Sequence, residues 1–102
     1  MLLCSKGVMM SDAFFKAIAD PNRRKILSLL KKEGVMTAGK IAQHFEISKP
    51  ALSEHLKILR NADLICSIKK KQFIHYSLNT TILEDVMNWF KEITANREVK
   101  TK

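Results

Sequence analysis

The sequence holds few of the residues that announce the common chemistries of small proteins. Of its 102 residues, two are cysteine, two are proline and three are glycine. Cys4 and Cys66 are too few for a disulfide framework, and their separation matches no structural zinc pattern, so both are expected to be reduced thiols. Three scattered glycines supply no glycine-rich loop for a nucleotide phosphate. No serine or cysteine stands in a nucleophile arrangement with His44 or His55, so enzymatic activity is not expected. No apolar run approaches the roughly 20 residues that span a bilayer, and the Met1-Leu2-Leu3 start is broken by Lys6 before a signal-peptide core develops. These absences describe a cytoplasmic protein with no membrane insertion. Repeats, low-complexity tracts and long linkers are missing from the sequence as well.

Acidic residues are the scarcer charge, 10 against 18 basic, for a formal net charge of +8. That excess favours a polyanionic partner, either nucleic acid or an anionic membrane surface, without separating the two. At 46% hydrophobic, the chain can build one compact domain with a modest core, to which burial across a dimer interface is a natural supplement.

What is present decides between the partners. Thr37 to Ile65, TAGKIAQHFEISKPALSEHLKILRNADLI, reads as a helix-turn-helix. Helical spacing puts Ile41, Ala42 and Phe45 on one face of a short helix and Leu52, Leu56 and Leu59 on one face of a second. Glu46-Ile47 allows only a turn between them. Ser48 offers a hydroxyl N-cap to the second helix, with Pro50 tolerated in its first turn. The opposite face carries Lys49, Ser53, Glu54 and Lys57, with Ala51 and His55 beside them, mostly short or hydrogen-bonding side chains suited to base edges and phosphates. Double-stranded DNA is the partner this chemistry fits.

The flanks agree. Ser11 opens a first helix with Phe14, Phe15 and Ile18 apolar. Asp20-Pro21 ends it and supplies the N-cap and first residue of a second helix, about Pro21 to Glu33, stopped by Gly34. Thr37 caps the next helix, in which Gly39 lowers local propensity. After Asp63, Leu64 to Ile68 and Phe73 to Leu78 are rich in β-branched and aromatic residues and read as two strands. Between them, Lys69, Lys70, Lys71 and Gln72 form a basic hairpin tip able to reach a phosphate backbone. Ile74, Tyr76 and Leu78 alternate on the inner face. Thr81 with Glu84 reads as a capping box opening the last helix. Along that helix Ile82, Val86, Trp89 and Ile93 make one apolar stripe, with Leu83, Met87 and Phe90 beside it. One stripe can cover the core while the other meets a second copy.

The expected fold is therefore mainly α with a small two-stranded β wing. It is a winged helix-turn-helix dimerising through its first and last helices, with Phe14, Phe15, Ile18, Val86, Trp89, Phe90 and Ile93 at the interface. Residues 11–96 form the DNA-binding and dimerisation domain, 97–102 a polar tail and 1–10 a flexible or non-native extension. Lys6-Gly7-Val8 can be encoded by AAAGGAGTG, which resembles a bacterial ribosome-binding site just ahead of Met9-Met10, so translation is expected to begin at one of those methionines.

The element order, the run Asp20-Pro21-Asn22-Arg23-Arg24, the block ISKPALSEHLKILRNADLI and the wing ending Tyr76-Ser77-Leu78 resemble the ArsR-type winged-helix repressors of bacteria. KQFIHYSLNTTILEDVMNWF is most similar to the SdpR-like autorepressor branch of that family. The resemblance spans about Ser11 to Ile93. It implies a homodimer that binds an imperfect palindrome near its own operon and blocks transcription, with recognition-helix contacts at Ser48, Lys49, Pro50, Ala51, Ser53, Glu54, His55 and Lys57. Many members sense metal or metalloid through a cysteine pair in the first helix of the helix-turn-helix, where this chain has Thr37-Ala38-Gly39-Lys40-Ile41-Ala42. Others use histidine and carboxylate clusters on the terminal helix, which here has no histidine. No metal site and no cofactor are expected. Release from DNA is left to a sequestering protein partner, a small organic ligand or autoregulation by concentration. A metal- or thiol-responsive sensor using Cys4 and Cys66 and a winged-helix protein-interaction module are the alternatives. The wing lacks the turn glycine usual in such hairpins.

Overall fold

A computed structural model describes residues 12–100, with side chains described as far as residue 95. The expectations for residues 1–10, including the translation start, lie outside the described residues.

Caps explain the helix boundaries. Helix α1 covers Asp12–Ile18 and α2 covers Pro21–Glu33. Between them the Asp20 carboxylate accepts from the backbone N–H of Asn22 at 2.8 Å and of Arg23 at 3.3 Å. Pro21 fills the first helical position, where no N–H is needed. Gly34, at φ 85°, ends α2 by donating its N–H to the Leu30 carbonyl, in a left-handed conformation that suits glycine.

Strand β1 is only Met36–Thr37, and α3 is Ala38–Ala42. Thr37 caps α3 by accepting from Lys40 N–H at 3.3 Å. Gly39 weakens this short helix, and a neighbouring helix holds it in place. The Lys25 ammonium of α2 donates to the His44 carbonyl at 3.0 Å and lies 4.6 Å from the centre of the Phe45 ring.

Helix α4, Lys49–Asn61, starts on Ser48, whose hydroxyl accepts from Ala51 N–H. Its end is a Schellman motif: Leu64 N–H bonds the Leu59 carbonyl and Asp63 N–H bonds the Arg60 carbonyl, both at 3.0 Å. Asp63 takes φ 62° there, in the slot that glycine or asparagine usually occupies. Leu59 and Leu64 are both fully buried and supply the apolar contact that accompanies this motif.

Strands β2, Ile65–Lys70, and β3, Phe73–Leu78, form the hairpin. The sheet has three strands in the order β1-β3-β2 rather than the expected two. Met36 pairs with Tyr76 and Thr37 with His75. A two-residue strand carries no legible alternation, and it exists because β3 offers it a free edge. Ile74 shares the face of Tyr76 and Leu78, but its register partner is Lys69. That places it beyond the core, so it is exposed rather than an inner residue.

The last helix, α5, spans Thr80–Lys100. Its cap differs from the expected Thr81–Glu84 box. The Asn79 side-chain oxygen accepts from Thr81 N–H at 3.1 Å, while its amide nitrogen donates to the Asp63 carbonyl at 2.8 Å. Three consecutive residues of capping type, Asn79-Thr80-Thr81, leave the choice open along the chain. Asn79 prevails because it is buried and needs both bonds. One side chain thus ties the start of α5 to the end of α4.

The core lies where the helices meet the sheet: Phe14, Ile26, Leu30, Ile41, Leu59, Leu64 and Ile65 are fully buried. Cys66 lies on the opposite face of β2 from Ile65. It is buried there. Cys4 lies outside the described residues.

Candidate nucleic-acid interface

Ser48 caps α4 with its hydroxyl, and the helix then turns one face outward. Lys49, Pro50, Ser53, Glu54 and Lys57 are exposed along that face, while Leu52, Leu56 and Leu59 are buried on the other. Ala51 and His55 sit apart from them. Both are half-buried, and at about 100° per residue they fall beside the leucine stripe.

His55 meets Arg23. The guanidinium nitrogen Nη1 lies 3.1 Å from His55 Nδ1. Arginine has only donors, so Nδ1 must be the acceptor and the ring proton resides on Nε2. The same guanidinium donates through Nε to the Ala17 carbonyl at 2.7 Å and through Nη2 to the Lys16 carbonyl at 3.2 Å. Arg24 Nη1 reaches the Ile18 carbonyl at 2.8 Å. These carbonyls belong to the last turn of α1, where no intrahelical N–H is available. Asp-Pro-Asn-Arg-Arg is therefore a junction. The aspartate starts one helix, the arginines finish the previous one, and Arg23 also grips α4.

Burial pushes the Asp20 carboxyl up, but the backbone bonds from Asn22 and Arg23 and the electrostatic influence of the nearby His55 ring and Arg23 guanidinium hold it below its ordinary value. A depressed folded value means that this cap stabilises the fold above the usual aspartate range and that its contribution disappears as pH falls through the lowered value.

The wing residues Lys69, Lys70, Lys71 and Gln72 are all exposed at the hairpin end. Lys70 pairs with Phe73, leaving Lys71-Gln72 as a two-residue turn. Lys71 has φ 60° and Gln72 is not among the positive-φ residues, the pattern of a type II′ turn, whose first central position favours glycine. Replacing Lys71 with glycine should raise stability by about 1–2 kcal/mol through relief of left-handed strain. A denaturant midpoint that does not rise would refute the strain.

The expected interface residues divide. Phe14 and Val86 are buried in the core and Ile18 packs against it, whereas Phe15, Trp89, Phe90 and Ile93 are exposed, with Met87. Phe15 stands edge-on to Phe14 with ring centres 5.1 Å apart. It lies 6.5 Å from Trp89, which is 5.2 Å from Phe90. The aromatic chain joins the first helix to the last and leads from the core to an open apolar surface.

Arg23, Lys25, Arg60 and Tyr76 were not among the site residues expected from the sequence. Arg60 was within reach, three residues beyond Lys57 on the same helical face. The others act on elements far away in sequence and carry no local signal.

Residues 20–67 match the family model described as bacterial regulatory protein, arsR family. The transcriptional repressor SdpR of Bacillus subtilis is 64% identical over 75 residues, which cover 74% of this chain and 82% of that protein. The arsenical resistance operon repressor of Staphylococcus aureus is 36% identical over 87 residues, covering 85% of this chain and 83% of that one. Among solved structures, NolR from Sinorhizobium fredii matches with a TM-score of 0.65 at 33% identity, covering 82% of this chain and 83% of that one.

Proposed function

The chain belongs to the ArsR family of winged-helix transcriptional repressors, and from that premise we propose that it represses as a homodimer, two α4 helices entering successive major grooves of an imperfect palindrome near its own operon. The observation that carries this reading is the outward face of α4, where Lys49, Ser53, Glu54 and Lys57 stand exposed beside the lysine-tipped wing. The first residues of such a helix reach base edges, and the flanking cations neutralise phosphates. Half-sites would lie about 34–36 Å apart, one turn of DNA. The aromatic surface on α1 and α5 is the natural contact between copies.

Within this reading, Ser48, Ser53 and Glu54 read bases, while Lys49, Lys57 and Lys69 to Lys71 contact phosphates. The two groups fail differently. Lys70→Ala should weaken binding to all sequences alike and reduce the slope of log affinity against log salt by about 0.9 per lost contact. Ser53→Ala should cost about 1–3 kcal/mol at particular base pairs only. Titrations of sequences selected from random DNA, at several salt concentrations, measure both. Unchanged affinity and slope for Lys70→Ala would remove the wing from the interface.

Binding is proposed to be independent of metal. Residues 37–42 contain no cysteine and α5 contains no histidine, which removes the thiolate and imidazole donors such sensors use. Titration with zinc, arsenite or chelator should leave DNA affinity unchanged. Release by a sequestering protein would require that partner to favour the free dimer over the DNA-bound one. No helix among the described residues is long and apolar enough to cross a membrane, in keeping with a cytoplasmic site of action.

A further inference from the structure

Between the second half of α4 and strand β3 lies a hollow of about 160 Å³ lined by Ser53, Leu56, Lys57, Arg60 and Tyr76. Its chemistry is one-sided. Two permanent cations, two hydroxyls and one leucine line it, and no carboxylate does. None of the four polar side chains makes a hydrogen bond or ion pair in the structure of the described residues, and none is among those holding further interactions. An unneutralised pair of cations beside two hydroxyl donors is suited to a tetrahedral oxyanion.

We infer that this hollow seats one backbone phosphate of the DNA, with Lys57 and Arg60 supplying charge and Tyr76 supplying a hydroxyl bond, while Ser53 on its rim keeps its base-reading role. The inference rests on the DNA-binding reading and adds to it a specific site with two residues, Arg60 and Tyr76, outside the recognition-helix and wing sets. Position favours a phosphate over a base edge. Base contacts come from the first turns of a recognition helix, and Arg60 lies seven residues beyond Ser53, about 10 Å further along the axis. At that height the helix has left the groove floor and its flank meets the sugar-phosphate lip. Tyr76 comes from β3, so the seat clamps a strand between helix and wing. Its phosphate fixes where the helix sits relative to the wing, which sets the register of every base contact.

The test uses the full chain and a selected operator in which single phosphates are replaced, one at a time, by neutral methylphosphonates. Arg60→Ala should weaken binding to every sequence and lower the salt slope by about 0.9 per lost contact. Tyr76→Phe, which keeps the ring and removes only the hydroxyl, should weaken binding roughly threefold to tenfold, as loss of one hydrogen bond allows. One methylphosphonate position per half-site should weaken the wild type and produce a smaller loss in each variant, because fewer contacts to that phosphate remain to be lost. Thermal unfolding of each variant confirms that the fold is kept. Wild-type affinity and slope in both folded variants, alongside a loss for Lys70→Ala, would overturn the seat while leaving the DNA reading intact. Failure of the wild type to bind any DNA at low salt would overturn the DNA reading and the seat together. Inorganic phosphate at constant ionic strength separates the two sources of the anion. A saturable response below millimolar that Arg60→Ala abolishes would reassign the hollow to a small phosphate ligand, and no such response is expected.

Discussion

Arg23→Ala is expected to lower the unfolding free energy by about 2–4 kcal/mol, because a charged group that makes three hydrogen bonds is removed. The bonds to Lys16 and Ala17 satisfy the last carbonyls of α1, and the third holds His55 of α4. Domains of this size are stable by only about 5–15 kcal/mol, so the loss is a large share, equivalent to roughly 10–25 °C in melting temperature. Arg23→Lys should recover little. A single ammonium cannot reproduce a planar fork that reaches two backbone carbonyls and an imidazole together. His55→Ala removes only the leg to α4 and leaves the α1 carbonyls bonded, so its cost should be clearly smaller. Chemical denaturation of the three variants distinguishes them. If Arg23→Ala lies within about 0.5 kcal/mol of wild type, the change typical of an inert surface substitution, the junction does not carry the stability assigned to it. Both variants should also weaken operator binding, because Arg23 ties the recognition helix to the element that leads into the proposed dimer contact.

Trp89→Ala is expected to weaken the proposed dimer by about 2–4 kcal/mol, the range of an aromatic hot spot at the centre of an interface. That corresponds to roughly 30-fold to 1,000-fold in the dissociation constant. In a single chain Trp89 is 37% exposed, and its neighbours Phe15 and Phe90 are exposed with it. A connected aromatic surface of this kind on a lone domain marks an interaction site. More than half of Trp89 already rests on its own chain, so the truncation acts on folding as well as on association, and the two are measured separately. Sedimentation at several concentrations reads the dimer, and far-UV circular dichroism reads the fold. Operator affinity should fall with the dimer, since two half-sites are then no longer engaged by one molecule. A wild-type chain that sediments as a folded monomer at micromolar concentration would remove the dimer and the palindrome with it.

Local chemistry was legible in the sequence wherever a residue acts on neighbours within about one turn. Asp20-Pro21 and Gly34 mark the two ends of α2, and Ser48 the start of α4, because each cap bonds an N–H or carbonyl two to four residues away. Periodicity separated the leucine face of α4 from its polar face for the same reason. The basic tip between two β-rich segments could be read as a wing, and the excess of lysine and arginine pointed to a polyanion. These signals, with the run from Asp20 to Arg24, were sufficient for the family.

Tertiary structure alone decided what depends on partners far along the chain. Met36-Thr37 became a strand because β3 lay beside it. Asn79 displaced Thr81 as the cap because its amide found the carbonyl of Asp63. His55, beside the outward face of α4, found its partner in Arg23, 32 residues away. Phe14 and Val86 were drawn into the core while Phe15 and Trp89 stayed outside it. The hollow of Arg60 and Tyr76 joins a helix to a strand that the sequence reading treated separately. A sequence states what each residue can offer over a few neighbouring positions, whereas the partner that takes up the offer is chosen by how the elements pack, and packing is a property of the whole core.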